Sequence, residues 1–85
     1  MNKVLLHKRV IKFLDDIDEK RRSKIIDILK SLRNFPMVRA DIRKIGDKTF
    51  RLRTGNIRVI FDFYRSENTV FVKHIDYRGR AYKKL

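Results

Sequence analysis

The apolar period of this chain switches once, near Arg39, and that switch dictates its layout. Before it, Val10, Phe13, Leu14 and Ile17 recur at helical spacing, and Ile25, Ile28, Leu29 and Leu32 repeat the stripe. After it, apolar and polar residues alternate in the manner of half-buried strands. Lys3 to Leu6 reads as a short first strand, and a helix opens at His7 or just beyond it. The acidic run DDIDE breaks that helix, with Asp18 placed to cap the next one. The second helix is expected to stop near Asn34, because Pro36 disfavours helical geometry in the residue before it. Arg43 to Ile45 is an approach strand or extended segment ending at Gly46-Asp47, and Thr49–Arg53, Ile57–Tyr64 and Thr69–Asp76 follow as three strands. The predicted order is β-α-α-β-β-β over a single domain, residues 1–85. That is a two-layer α+β fold, an antiparallel sheet packed against a helix pair on one face.

Register follows from charge. The hairpin RLRTGNIRVIF turns at Gly55-Asn56, and pairing Arg53 with Arg58 sets Arg51 opposite Ile60 and Phe50 opposite Phe61. Phe50, Leu52, Val59 and Phe61 then share the helix-covered face. A slip of one residue would drive arginines into that core, at a cost of several kcal/mol per charge. Pairing Tyr64 with Thr69 extends strict alternation to the last strand. It assigns Val70, Val72 and His74 to the core, and Phe71, Lys73 and Ile75 to the opposite face with Arg51, Arg53, Arg58, Ile60 and Asp62. Like charges directly opposed destabilise a sheet, so Arg53 against Arg58 is a feature that folding alone would remove.

The composition says what such a face is for. Lysine and arginine number 23 against 10 acids, a formal net charge of +13. Half of the acids, Asp15, Asp16, Asp18, Glu19 and Asp27, lie in the helical half, which leaves the basic excess toward the strands and the tail YRGRAYKKL. A polyanionic partner is the usual reason to tolerate that self-repulsion. Arg51, Arg53, Arg58 and Lys73, with Arg78 and Arg80, suit consecutive phosphates, while Tyr77 and Tyr82 offer rings for base stacking. The chain has no cysteine, so disulfides and thiolate chemistry are excluded. Its early apolar run, Val4-Leu5-Leu6, is too short to span a bilayer, so no membrane partner and a cytoplasmic location are expected. The acidic turn follows no metal-ligand spacing, and no nucleotide-binding, nucleophile-elbow or zinc-protease motif occurs.

Lys44-Ile45-Gly46, Phe50-Arg51-Leu52-Arg53, Gly55, Arg58-Val59-Ile60-Phe61 and the terminal Tyr77-Arg78-Gly79-Arg80-Ala81-Tyr82 together resemble the RelE toxins of the RelE/ParE superfamily. The likeness extends over nearly the whole chain. It implies the toxin of a type II toxin–antitoxin system, a ribosome-dependent endoribonuclease cutting mRNA in the ribosomal A site. The implied partners are the ribosome, its mRNA and an acidic RelB-like antitoxin that wraps the toxin. Implied catalytic residues are Arg58, Arg78 and Tyr82, with Arg51, Arg53, Lys73, Arg80 and Tyr77 on the RNA; no metal and no cofactor is called for. Many members carry a histidine where this chain has Tyr77, so the proton-transfer groups are not identified by the resemblance. Two other readings share the scaffold and the charge: a ParE-like inhibitor of DNA gyrase, and a non-catalytic RNA-binding module.

Overall fold

Two side-chain caps and one arginine shape the helical layer. The computed structural model describes residues 1–77; the expected site residues Arg78, Arg80 and Tyr82 lie outside the described residues. Strand β1 (Lys3–Leu6) leads into helix α1 (Lys8–Asp15), where the His7 side chain accepts a hydrogen bond from the Arg9 backbone N–H at 3.0 Å. Helix α2 (Glu19–Ser31) is capped by Asp18, which accepts from the Arg21 N–H at 2.9 Å. The acidic turn therefore has a structural task in helix initiation. Arg22 donates to the Leu14 and Ile17 carbonyls, both at 2.8 Å, and so ties the end of α1 to the start of α2. After Ser31 the chain tightens into one 3-10 turn, Leu32–Asn34, short of the proline as expected. Asn2 is buried and clamps this exit, donating its side-chain amide to the Leu32 and Phe35 carbonyls at 3.3 and 2.8 Å.

The remaining strands are β2 (Asp41–Lys44), β3 (Thr49–Thr54), β4 (Ile57–Tyr64) and β5 (Thr69–Tyr77), in the sheet order β1-β5-β4-β3-β2. Strands β2 to β5 form an antiparallel meander. The sheet is nevertheless mixed, not wholly antiparallel: β1 lies parallel to β5, with Val4 beside Val70 and Leu6 beside Val72. Parallel partners cannot be joined by a hairpin, and here everything from the helices to β4 intervenes in sequence. The β3–β4 loop is Gly55-Asn56. Gly55 takes φ 57°, a backbone state a side chain would strain, although a Cβ there would meet no atom within 4 Å. At the other hairpin the turn runs through Arg65–Glu67 and closes on Asn68 in the left-handed region.

Val10, Leu14, Ile25, Leu29 and Leu32 from the helical layer bury against Leu52, Val59, Phe61, Val70, Val72 and Ile75 of the sheet. Phe35 drives the far end, its ring edge-to-face with Phe50, Phe61 and Phe63 at centroid distances of 4.9 to 5.2 Å. The register of the β3–β4 hairpin is the expected one, with Arg53 opposite Arg58, Arg51 opposite Ile60 and Phe50 opposite Phe61.

Strict alternation fails in β5. Ile60 pairs with His74 but Phe61 pairs with Val72, so an irregularity at Lys73 inserts one extra residue. From that point the faces exchange. Ile75 and Tyr77 turn to the helices, opposite Val59 and Ile57, while His74 and Asp76 join the open face opposite Ile60 and Arg58. This corrects the expectation that His74 lies in the core and Ile75 outside. The physical reason is plain: burying Ile75 removes apolar surface from water, whereas burying an imidazole needs a hydrogen-bond partner that the apolar core lacks. Tyr77 is corrected by the same shift. Its ring packs 5.5 Å from that of Phe13 and lies under the Arg21 guanidinium, on the helix side and away from Arg51, Arg53 and Arg58.

Candidate nucleic-acid interface

Cross-strand registry orders the open face into rows. One row runs Asp41, Arg53, Arg58, Asp76 across β2, β3, β4 and β5. The next runs Arg43, Arg51, Ile60, His74. A third holds Thr49, Asp62, Phe71 and Leu5. Two pairs of arginines thus face each other directly, Arg53 with Arg58 and Arg43 with Arg51. Adjacent like charges at this spacing raise the local potential in the way an anion-binding surface requires.

The acids at the margins position particular cations. Arg58 grips Asp76 with a two-pronged contact, Nε to Oδ1 at 3.1 Å and Nη2 to Oδ2 at 2.8 Å. His74 Nε2 lies 3.1 Å from the same Oδ2, so the carboxylate joins the arginine to the imidazole. Burial alone would push the Asp76 carboxyl up, but the Arg58 and His74 hydrogen bonds outweigh it and hold the group below its ordinary range. On the third row, buried Asp62 accepts from Thr49 Oγ1 at 2.6 Å and pairs with Lys73 Nζ at 3.5 Å. Arg51 is part-buried, and its Nε has no hydrogen-bond partner among the described residues.

Of the expected site residues, the structure therefore brings Arg51, Arg53, Arg58 and Lys73 onto one face and sets Tyr77 on the other. Sequence reasoning missed Arg43, His74 and Asp76. The signal for the last two was present: in VFVKHIDY, two consecutive polar residues, Lys73-His74, break the alternation where the extra residue sits.

Comparison with known proteins bears on the fold that carries this face. No family model matches the chain. The RelE1 chain of Methanocaldococcus jannaschii is 29% identical over 84 residues, covering 94% of this chain and 93% of its own length. The chain resembles the RelE toxins in sequence and fold. The archaeal RelE–RelB complex of Pyrococcus horikoshii superposes with a TM-score of 0.81 at 23% identity, over 94% of this chain and 98% of that one. The isolated Escherichia coli RelE toxin gives a TM-score of 0.76 at 13% identity, over 99% and 92%. At such low identity these two structures speak for the RelE fold alone, and the two-helix, five-strand mixed sheet is that fold.

Proposed function

We propose that this chain is the toxin of a type II toxin–antitoxin system, an endoribonuclease that cuts mRNA in the ribosomal A site and so arrests translation. The observation that carries the reading is the pair of opposed arginine couples on the face of the sheet turned away from the helices. The RelE-like fold and sequence supply its context. The terminal run with Arg78, Arg80 and Tyr82 favours this reading over a ParE-like gyrase inhibitor, and the His74–Asp76 pair on the same face as the arginines favours it over a passive RNA-binding module.

In the reaction a 2′-oxygen attacks the adjacent 3′-phosphate, leaving a 2′,3′-cyclic phosphate and a 5′-hydroxyl. Negative charge develops on the phosphorane, and fixed cations stabilise it more than they stabilise the ground state. Arg58 is oriented for that task by its grip on Asp76. Arg51, Arg53 and Lys73 hold flanking phosphates, with Arg78 and Arg80 of the tail contributing charge and Tyr82 stacking on a base or moving a proton. No metal is needed for these steps. The ribosome supplies the alignment of the 2′-oxygen with the scissile bond, which is why naked RNA is a poor substrate.

A surface of this charge also calls for an acidic inhibitor, and the RelB-like antitoxin is the proposed partner, as in the Pyrococcus horikoshii complex. The site of action, and hence of the toxin, is the cytoplasm. Primer extension on a message in a translation extract tests the reading. Wild type is expected to leave cuts within translated codons, and Arg58→Ala to leave far fewer while remaining folded. An intact message with wild type, together with blocked supercoiling by gyrase, would move the function to the ParE side of the superfamily.

A further inference from the structure

The geometry points to His74 as the general base that removes the 2′-hydroxyl proton, with Asp76 as the residue that positions it; this rests on the function proposed above. The extra residue at Lys73 turns His74 out of the core and onto the face carrying Arg51 and Arg58. There the imidazole is half-exposed, within reach of a bound strand. Its Nε2 lies 3.1 Å from Asp76 Oδ2. Asp76 is gripped by Arg58 and kept ionised, so its oxygens only accept. In a neutral imidazole the Nε2 must then be the donor, and the lone pair falls on Nδ1. Nδ1 has no hydrogen bond among the described residues. A carboxylate fixing one ring nitrogen while the other takes a proton is the arrangement used wherever a histidine must act as a base from one orientation.

The step balances without a further reagent. Nδ1 takes the 2′-hydroxyl proton as the 2′-oxygen bonds to phosphorus; the bond from phosphorus to the 5′-oxygen breaks. The leaving oxygen takes a proton from water, and the imidazolium returns its own to the hydroxide so formed. Asp76 offsets the charge on the imidazolium, and Arg58 that on the phosphorane. None of the arginines can serve as the base, since guanidinium does not deprotonate in a protein.

The test is single-turnover cutting of message on programmed ribosomes, measured across the neutral pH range. Wild type is expected to cut faster as pH rises, then level off. The charged groups around the imidazole are Asp76 and Lys73 on its own strand, Arg58 and Asp62 on β4, and Arg51 on β3. His74→Gln is expected to lose about 10²–10⁴-fold and to lose the pH-dependent limb. Added imidazole is expected to restore part of the rate to His74→Ala. Asp76→Asn, which no longer fixes the tautomer, is expected to fall with His74→Gln, and the double variant to lose no more than either alone. Thermal melts separate these losses from unfolding. If wild type cuts and His74→Gln retains a rate within about threefold with the same pH limb, His74 is not the base and the endoribonuclease reading stands. If wild type does not cut ribosome-bound message, both fail together.

Discussion

Replacing Arg51 by threonine should make the protein more stable and worse at holding RNA. Arg51 stands directly opposite Arg43, and its part-buried Nε has no hydrogen-bond partner among the described residues. Relief of an opposed like-charge pair is worth about 0.2–1 kcal/mol. Removing a buried donor that has no acceptor recovers about 1–3 kcal/mol. Against this stands the packing of the arginine stem, about 0.8 kcal/mol for each methylene buried, or roughly 1.6 kcal/mol for two. Threonine suits the strand and packs against Ile60, the other cross-strand neighbour. The balance is a gain of about 1 kcal/mol, which for a domain of this size raises Tm by about 4–8 °C. Urea or thermal melts in low salt measure it. The like-charge part should shrink at 0.5 M salt, where the screening length is roughly 4 Å. Binding to single-stranded RNA should weaken, its log–log salt slope falling by about 0.7 for one lost phosphate contact. Destabilisation by about 1 kcal/mol or more, or an unchanged salt slope, would show that Arg51 serves the fold and refute the reasoning.

Three further outcomes are expected. Arg58→Ala should lower cutting of ribosome-bound message about 10²–10³-fold with the fold retained, measured in single turnover against a circular-dichroism control. Phe35→Ala should cost about 3–5 kcal/mol in urea melts, a large share of a small domain's stability, because three phenylalanine rings lose their common partner. Asp76 titrates lower folded than unfolded, so its contribution is complete above the unfolded carboxyl range and disappears as pH falls through the folded value. Acid melts should therefore show the stability gap between wild type and Asp76→Asn closing as pH falls, and a gap independent of pH would contradict the assignment.

The sequence was most legible where a wrong answer would be expensive. Arginines alternate with Phe50, Leu52, Val59 and Phe61 so regularly that only one register of the β3–β4 hairpin keeps guanidinium out of the core, and the structure has that register. Asp18 was readable as a cap because a carboxylate before a helical stripe has a local partner, the Arg21 N–H. Long-range relations were not local and were not read. Nothing in KVLL says that its partner is β5, or that the two run parallel. The extra residue at Lys73 was visible only as a broken alternation, and overlooking it exchanged His74 with Ile75 and put Tyr77 on the wrong face. That one residue separates a structural histidine from a candidate base. In this chain the histidine of the last strand stands at position 74 and not at position 77, held by a carboxylate at i+2. The opposed arginines carry a cost to the fold that the rest of the core must offset, which is the usual relation between a binding surface and the stability of the scaffold beneath it.

The proposed function requires that RNA be cut by a patch to which the ribosome presents the strand. The most direct measurement is the single-turnover rate on one message, free in solution and then bound in the A site, with the same protein preparation. Cutting on the order of 10³-fold or more faster on the ribosome is the predicted result, because in the proposed function the ribosome supplies the alignment. Equal rates on both substrates, or an uncut message on the ribosome, would contradict it.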